Sequence, residues 1–203
     1  MRPKMIVVAG PPGSGKSVAF PVDSFGVDSF NADDRSAELN NGSYQGIPLE
    51  VRAVVNQEFE AFVEGHIRNH KSFAIETTLR SDITFRQADH ARAEGFEIQM
   101  RYIALDGFQQ NLKRVISRAL AGGHSAPAEQ LQKIHEASLK NLPRAIREMD
   151  RIVVYDNSTP DQRPQRILIA QNGRVVWLHR SCPEWLEKAL AGSGYQIRNQ
   201  IRD

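Results

Sequence analysis

Eight consecutive residues near the start of the chain, Gly10-Pro11-Pro12-Gly13-Ser14-Gly15-Lys16-Ser17, fit the pattern G-x-x-x-x-G-K-[ST]. Glycines in such a run let the backbone curl until successive N–H groups point at phosphate oxygens, and the positive end of a following helix adds to their pull. The lysine reaches the β- and γ-phosphates, and the hydroxyl after it ligates Mg²⁺. Lys16 and Ser17 would have no purpose in a plain strand-to-helix turn. The run therefore predicts ATP and Mg²⁺ as cofactors, held by residues 10 to 17, with Ser17 as the metal ligand. ATP is favoured over GTP because no N-K-x-D-like base-reading tetrad is found. The loop names a cofactor class and not a reaction, since kinases, GTPases and ATP-driven motors all carry it.

A second set of residues could act on the other substrate. In "DSFNADDRSAELN", Asp33 and Asp34 follow a predicted strand, where a carboxylate can accept the proton of an attacking hydroxyl or hold a metal's water shell. The plainer alternative is that one of them caps the next helix. In "FAIETTLRSDITF" an apolar run stops at Glu76, two threonines and Arg80, a set suited to a polyhydroxy ligand, although Ser81 or Asp82 as a helix cap explains part of the stretch. Arg114 and Arg118 are four residues apart on a predicted helix and could clamp phosphates from one face, with Gly122-Gly123 beside them as a hinge; a solvated charged face is the alternative.

Positioning these groups is the task of alternating elements. Residues 5–9, 27–31, 73–76, 98–104 and 152–155 read as strands; 48–70, 82–95, 107–123 and 127–149 carry apolar residues at helical spacing. The fold class expected is α/β, a doubly wound, mostly parallel sheet with helices on both faces. "RILIAQNGRVVWLH" predicts an antiparallel hairpin about Asn172-Gly173 at the sheet edge. The last twelve residues, 192–203, carry too little apolar content to dock and are expected to fray. With 203 residues and no linker, one domain over 1–203 is expected. Lys and Arg outnumber Asp and Glu by 26 to 24, which gives no footprint for nucleic acid or membrane, and the absence of a signal pattern or an apolar span predicts a cytoplasmic protein. Cys182, the single cysteine, reads as structural, His66 and His70 as polar helix-end residues rather than a zinc pair, and Trp177 and Trp185 as packing.

Taken together, "GPPGSGKS", "FNADD" and "IETTLRS" resemble the zeta toxin family of phosphate-loop kinases over about residues 5–155, and "RVISRALAGGHSAP", "SLKNLPRAI" and "VVYDNS" resemble its chromosomal branch. The resemblance implies a kinase that moves the γ-phosphoryl group of ATP to a hydroxyl of a small acceptor, with UDP-N-acetylglucosamine as the best-known nucleotide-sugar acceptor and an antitoxin protein as a candidate partner. It implies Asp33 as base, Glu76, Thr78 and Arg80 as acceptor-site residues, and Arg114 or Arg118 as the charge on the transition state. Where toxins of the family carry a further arginine this chain has His124, so one clamping charge is neutral or pH-dependent. Two other readings stay open: a kinase for a nucleoside, a dinucleotide or a nucleic-acid end, and an ATP-binding regulator with slow ATPase activity. A deep pocket lined by Asp33 and Glu76 favours a kinase, and a shallow apolar surface beside the lid favours the regulator.

Overall fold

A computed structural model describes residues 2–123, 126–191 and 193. His124 and the tail beyond Ser193, for which the sequence suggests a pH-dependent clamp and fraying, lie outside the described residues. In the middle of the parallel strands is β1 (Lys4–Ala9), whose residues Met5 to Ala9 are all buried, as befits a β-branched strand covered on both faces. The other strands are β2 (Asp28–Phe30), β3 (Phe73–Thr77), β4 (Glu97–Ala104), β5 (Arg151–Asp156), β6 (Gln165–Gln171) and β7 (Arg174–Leu178). They form one seven-stranded sheet in the order β2-β3-β1-β4-β5-β6-β7, with β1 to β5 parallel and β6 and β7 antiparallel. Between β6 and β7, Asn172 and Gly173 have φ of 48° and 76°. Both central residues of the turn are thus left-handed, as a two-residue turn that follows the strand twist requires, and the expected hairpin stands at the sheet edge.

The helices are α1 (Lys16–Ala19), α2 (Ala32–Leu39), α3 (Leu49–Arg68), α4 (Ile83–Ala93), α5 (Phe108–Leu120), α6 (Ala128–Glu148) and α7 (Glu184–Leu190). The helix expected after the phosphate loop lasts only one turn. Pro21 has no N–H to donate and disfavours a helical Phe20, which sits at φ −140° and ψ 70°. A 3-10 turn over Val22–Phe25 then leads into β2. Four residues sum to little dipole, so attraction for an anion at this loop rests on individual N–H groups rather than on a long helix behind them.

Both faces of the sheet carry helices, but unequally. One face builds the main core, where Phe73, Phe85, Phe96, Tyr102, Leu142 and Ile146 are fully buried. On the other face a small cluster of Ile6, Val8, Val22 and Ala74 is roofed by Phe20, Phe25 and Val27. There the Arg101 guanidinium lies over the Phe25 ring at 4.5 Å, sealing with a cation what no long helix covers. Among the described residues no helix is long and apolar enough to cross a membrane. Trp185 is buried with its indole N–H donating to Asp156 at 2.8 Å. Cys182 is half-buried, and burial pushes its thiol up to about 11, as suits an unreactive packing residue.

Candidate active site

The carboxyl ends of five parallel strands face one crevice, the place where open α/β sheets take ligands. After β1 the phosphate loop turns on Gly10, Gly13 and Gly15, whose φ values are 143°, 76° and 89°. Side chains are excluded there twice over, by conformation and by space: a Cβ on Gly10 would stand 2.0 Å from the Ile103 carbonyl oxygen, and one on Gly13 would stand 2.5 Å from that of Asn111. Two carbonyls of the loop are held from outside. Asn111 Nδ2 donates to the Pro12 oxygen at 2.7 Å and Asn157 Nδ2 to the Ser14 oxygen at 2.8 Å. Among the described residues no protein acceptor meets the amide N–H groups of Gly13, Gly15, Lys16 or Ser17.

Lys16 is buried, with Nζ 3.2 Å from the Pro11 oxygen and 3.9 Å from Glu76 Oε1. The Ser17 hydroxyl donates to Glu76 Oε2 at 2.9 Å. Burial pulls the Lys16 ammonium below its ordinary pKa, against the pull of Glu76 and Asp33; burial likewise pushes the Glu76 carboxyl up, against Lys16 and the Ser17 hydroxyl. The parallel register that pairs Val8 with Glu76 is what brings this acid to the base of the loop. Glu76, which the sequence suggests as an acceptor-site group, therefore also touches the residue suited to hold Mg²⁺. Ser17, with Glu76 beside it, is a donor set that suits a hard cation, which when bound neutralises charge on the β- and γ-phosphate oxygens.

After β2, the two aspartates separate in role. Asn31, not an aspartate, caps α2: its side chain accepts from the N–H groups of Asp33 at 3.0 Å and Asp34 at 3.4 Å. The Asp34 carboxylate receives the Tyr44 hydroxyl at 2.9 Å. Asp33 is exposed, and among the described residues its carboxylate has no hydrogen bond or ion pair. After β3, Leu79 has φ 56° yet is fully buried. This strained turn is tied down by Leu79 N–H donating to Thr77 Oγ1 at 3.1 Å and by Asn141 Nδ2 donating to the Leu79 oxygen at 2.9 Å, and it presents Thr78 and Arg80 to the crevice. Asp82 stands at the start of α4 but makes no capping bond; its carboxylate meets Arg144 at 2.9 Å instead.

Of the cavities beside the loop, two bear most on the site. One, of about 380 Å³, is lined by Asp33, Glu76, Thr78, Arg80, Arg52 and Arg118 among others, so all four acceptor-site residues read from the sequence meet in it. The other, of about 850 Å³, lies on the far side against Gly13, Gly15, Phe20, Arg114, Tyr155 and Asn157. Arg118 lines both. The arginine pair thus divides: Arg114 donates to the Asn157 backbone oxygen at 2.9 Å, whereas Arg118 is exposed and without a partner among the described residues. Gly122 and Gly123, read as a hinge, close α5 as a left-handed cap, with Gly122 N–H donating to Ala119 and Gly123 N–H to Arg118. A Cβ on Gly123 would stand 2.6 Å from the Arg118 Cγ, so that glycine makes room for the arginine stem. Sequence reasoning missed Asn31, Arg52, Asn111 and Asn157. Asn157, at the end of a predicted strand, had a positional signal; Asn111, inside an amphipathic helix, had none.

The phosphate loop after the first strand, the strand order and the crevice define a phosphate-loop α/β fold, a mostly parallel sheet closed by an antiparallel edge. No family model matches the chain. A curated relative, an uncharacterised protein of Haemophilus influenzae, is 28% identical over 127 residues, which is 61% of this chain and 86% of the relative. Among solved structures, a chain of the AvrRxo1-ORF1:AvrRxo1-ORF2 complex with ATP is similar at a TM-score of 0.68 and 13% identity, over 97% of this chain and 65% of that one. This chain therefore spans less than two thirds of that neighbour's length. The PezAT chromosomal toxin–antitoxin system of Streptococcus pneumoniae is similar at a TM-score of 0.60 and 15% identity, over 98% of this chain and 82% of its own.

Proposed function

We propose that this protein is an ATP-dependent kinase that transfers the γ-phosphoryl group to a hydroxyl of a small, nucleotide-linked sugar. One observation carries the reading: two cavities on opposite sides of the phosphate loop share Arg118, and the smaller one holds Asp33, whose carboxylate has no partner among the described residues, facing the Lys16–Glu76 pair. A regulator that only sensed ATP would have no use for the second, acid-lined cavity. The loop N–H groups and Lys16 hold the nucleotide's phosphates, and Ser17 holds Mg²⁺. Glu76, Thr78 and Arg80 orient the acceptor. Asp33 takes the proton of the acceptor hydroxyl as that oxygen bonds to the γ-phosphorus, the bond from the γ-phosphorus to the bridging oxygen breaks, and ADP leaves with the electron pair. Arg118, exposed at the crevice, meets the charge that develops in between.

The resemblance of "FNADD" and "IETTLRS" to the zeta toxin family makes UDP-N-acetylglucosamine the first acceptor to test. Neighbours described as a two-protein complex and a toxin–antitoxin system support an antitoxin protein as a partner. Incubation with ATP, Mg²⁺ and a panel of nucleotide sugars, nucleosides and dinucleotides, followed by mass spectrometry, tests the reading. A gain of one phosphoryl group on a nucleotide sugar supports it, and ATP binding with no acceptor modified in any class overturns it.

A further inference from the structure

We infer that Asn111 and Asn157 are positioning residues that pre-set the phosphate loop for nucleotide, an inference that rests on the reading of residues 10–17 as the site of ATP's phosphates. A trans peptide points its C=O and its N–H in opposite directions. Holding the Pro12 oxygen outward therefore aims the Gly13 N–H inward, and holding the Ser14 oxygen outward aims the Gly15 N–H inward. Those are the two carbonyls the asparagine amides grip, at 2.7 and 2.8 Å, and the two amides they aim are among those that no protein acceptor meets in the described residues. A loop with glycines at three of its first six positions has many backbone states of similar energy, so without an outside hold its peptides would be free to flip and turn a carbonyl toward the phosphates.

The fit is mutual. A Cβ on Gly13 would meet the Asn111 backbone oxygen at 2.5 Å, and one on Gly15 would meet Asn157 Nδ2 at 2.6 Å, so each tether needs a glycine beside it. The tethers come from distant parts of the chain, 99 and 143 residues away, on the N-terminal half of α5 and just past β5. Asn157 is itself held, since Arg114 donates to its backbone oxygen at 2.9 Å. That contact turns Arg114 into a support of the loop and leaves Arg118 as the arginine available to a transferring phosphoryl group. Asn111 is 1% exposed and its Oδ1 has no partner among the described residues, so within them its side chain serves one bond, the one to Pro12.

The test compares wild type, Asn111→Leu, Asn157→Ala and the double variant by calorimetric titration with ATP and with inorganic tripolyphosphate, alongside thermal melting. Loss of one net hydrogen bond that orders the loop is expected to weaken both ligands about fivefold in each single variant, and roughly twentyfold or more in the double. Tripolyphosphate decides between mechanisms, because Asn157 also lines the larger cavity: ATP weakened with tripolyphosphate unchanged would place its effect away from the phosphates and overturn the inference. Affinities within twofold of wild type in folded variants overturn it as well, whatever the melting temperature does. Should Asn111→Leu not fold, Asn157→Ala alone decides, as that side chain is only half-buried. If wild type binds ATP, the kinase reading survives either result; if wild type binds neither probe, both readings fall.

Discussion

Replacing Asp33 with Asn separates chemistry from scaffolding at the residue on which catalysis is proposed to turn. The cap of α2 is Asn31, which accepts from two backbone N–H groups and is untouched by the change. The Asp33 carboxylate has no hydrogen-bond or ion-pair partner among the described residues; it adds a charge to the first turn of α2, shared with Asp34, and helps keep the buried Lys16 ammonium charged. Exposed substitutions of this kind cost within about 0.5 kcal/mol, and for a chain of this size that is a melting shift of roughly 1 to 2 °C. Loss of a general base costs about 10² to 10⁴ in rate, or about 3 to 5 kcal/mol of barrier. The two effects differ enough that no overlap is expected. Acceptor-dependent phosphorylation, ATP affinity by calorimetry and melting temperature are to be measured side by side in Asp33→Asn. ATP affinity is expected to stay within a few-fold of wild type, because Asp33 lies across the loop from the larger cavity. Phosphorylation retained within a few-fold, with normal melting, would refute the role of Asp33 as base and leave it a surface acid.

Three more outcomes are expected. Lys16→Ala should abolish measurable ATP binding by calorimetry while the far-ultraviolet spectrum is kept; unchanged affinity would remove the phosphate-loop assignment. Arg118→Ala should lower kcat by about 10² or more with a smaller change in KM, whereas Arg114→Ala should act on KM for ATP through Asn157, and steady-state kinetics on both variants that gave the reverse pattern would exchange their roles. His135 is buried with its ring edge-on to Phe108 and its Nε2 without a partner among the described residues, and burial lowers its pKa from the ordinary value. Its neutral form is therefore the folded one: stability from this group is present above the unfolded pKa and is lost as pH falls from about 7 through the folded value. Melting temperature should drop more steeply between pH 7 and pH 5 in wild type than in His135→Gln, and parallel curves would show that the group does not titrate with folding.

Much of this protein is written in short-range chemistry. The glycine spacing of residues 10–17, the β-branched run before it and the Asn172-Gly173 turn are demanded by backbone geometry, which acts between neighbours and so is legible in the chain itself. The same holds for the positions of Asp33, Glu76, Thr78 and Arg80: each stands at or just past the carboxyl end of a predicted strand, and a parallel sheet brings such ends together. What the sequence did not determine depends on contacts between distant segments. Nothing local says that Asn31 takes the cap and releases Asp33, since Asn and Asp cap equally well and only the final backbone decides which oxygen meets the free N–H groups. Nor does helical spacing say that Arg114 turns to Asn157 while Arg118 turns to the crevice, because four residues apart they share one face and only the loop beyond β5 tells them apart. The hold of Asn111 and Asn157 on the loop is tertiary in the same sense. A hydrogen bond across 99 or 143 residues leaves no spacing to read, and it exists only once the sheet has set α5 and the end of β5 on either side of the loop.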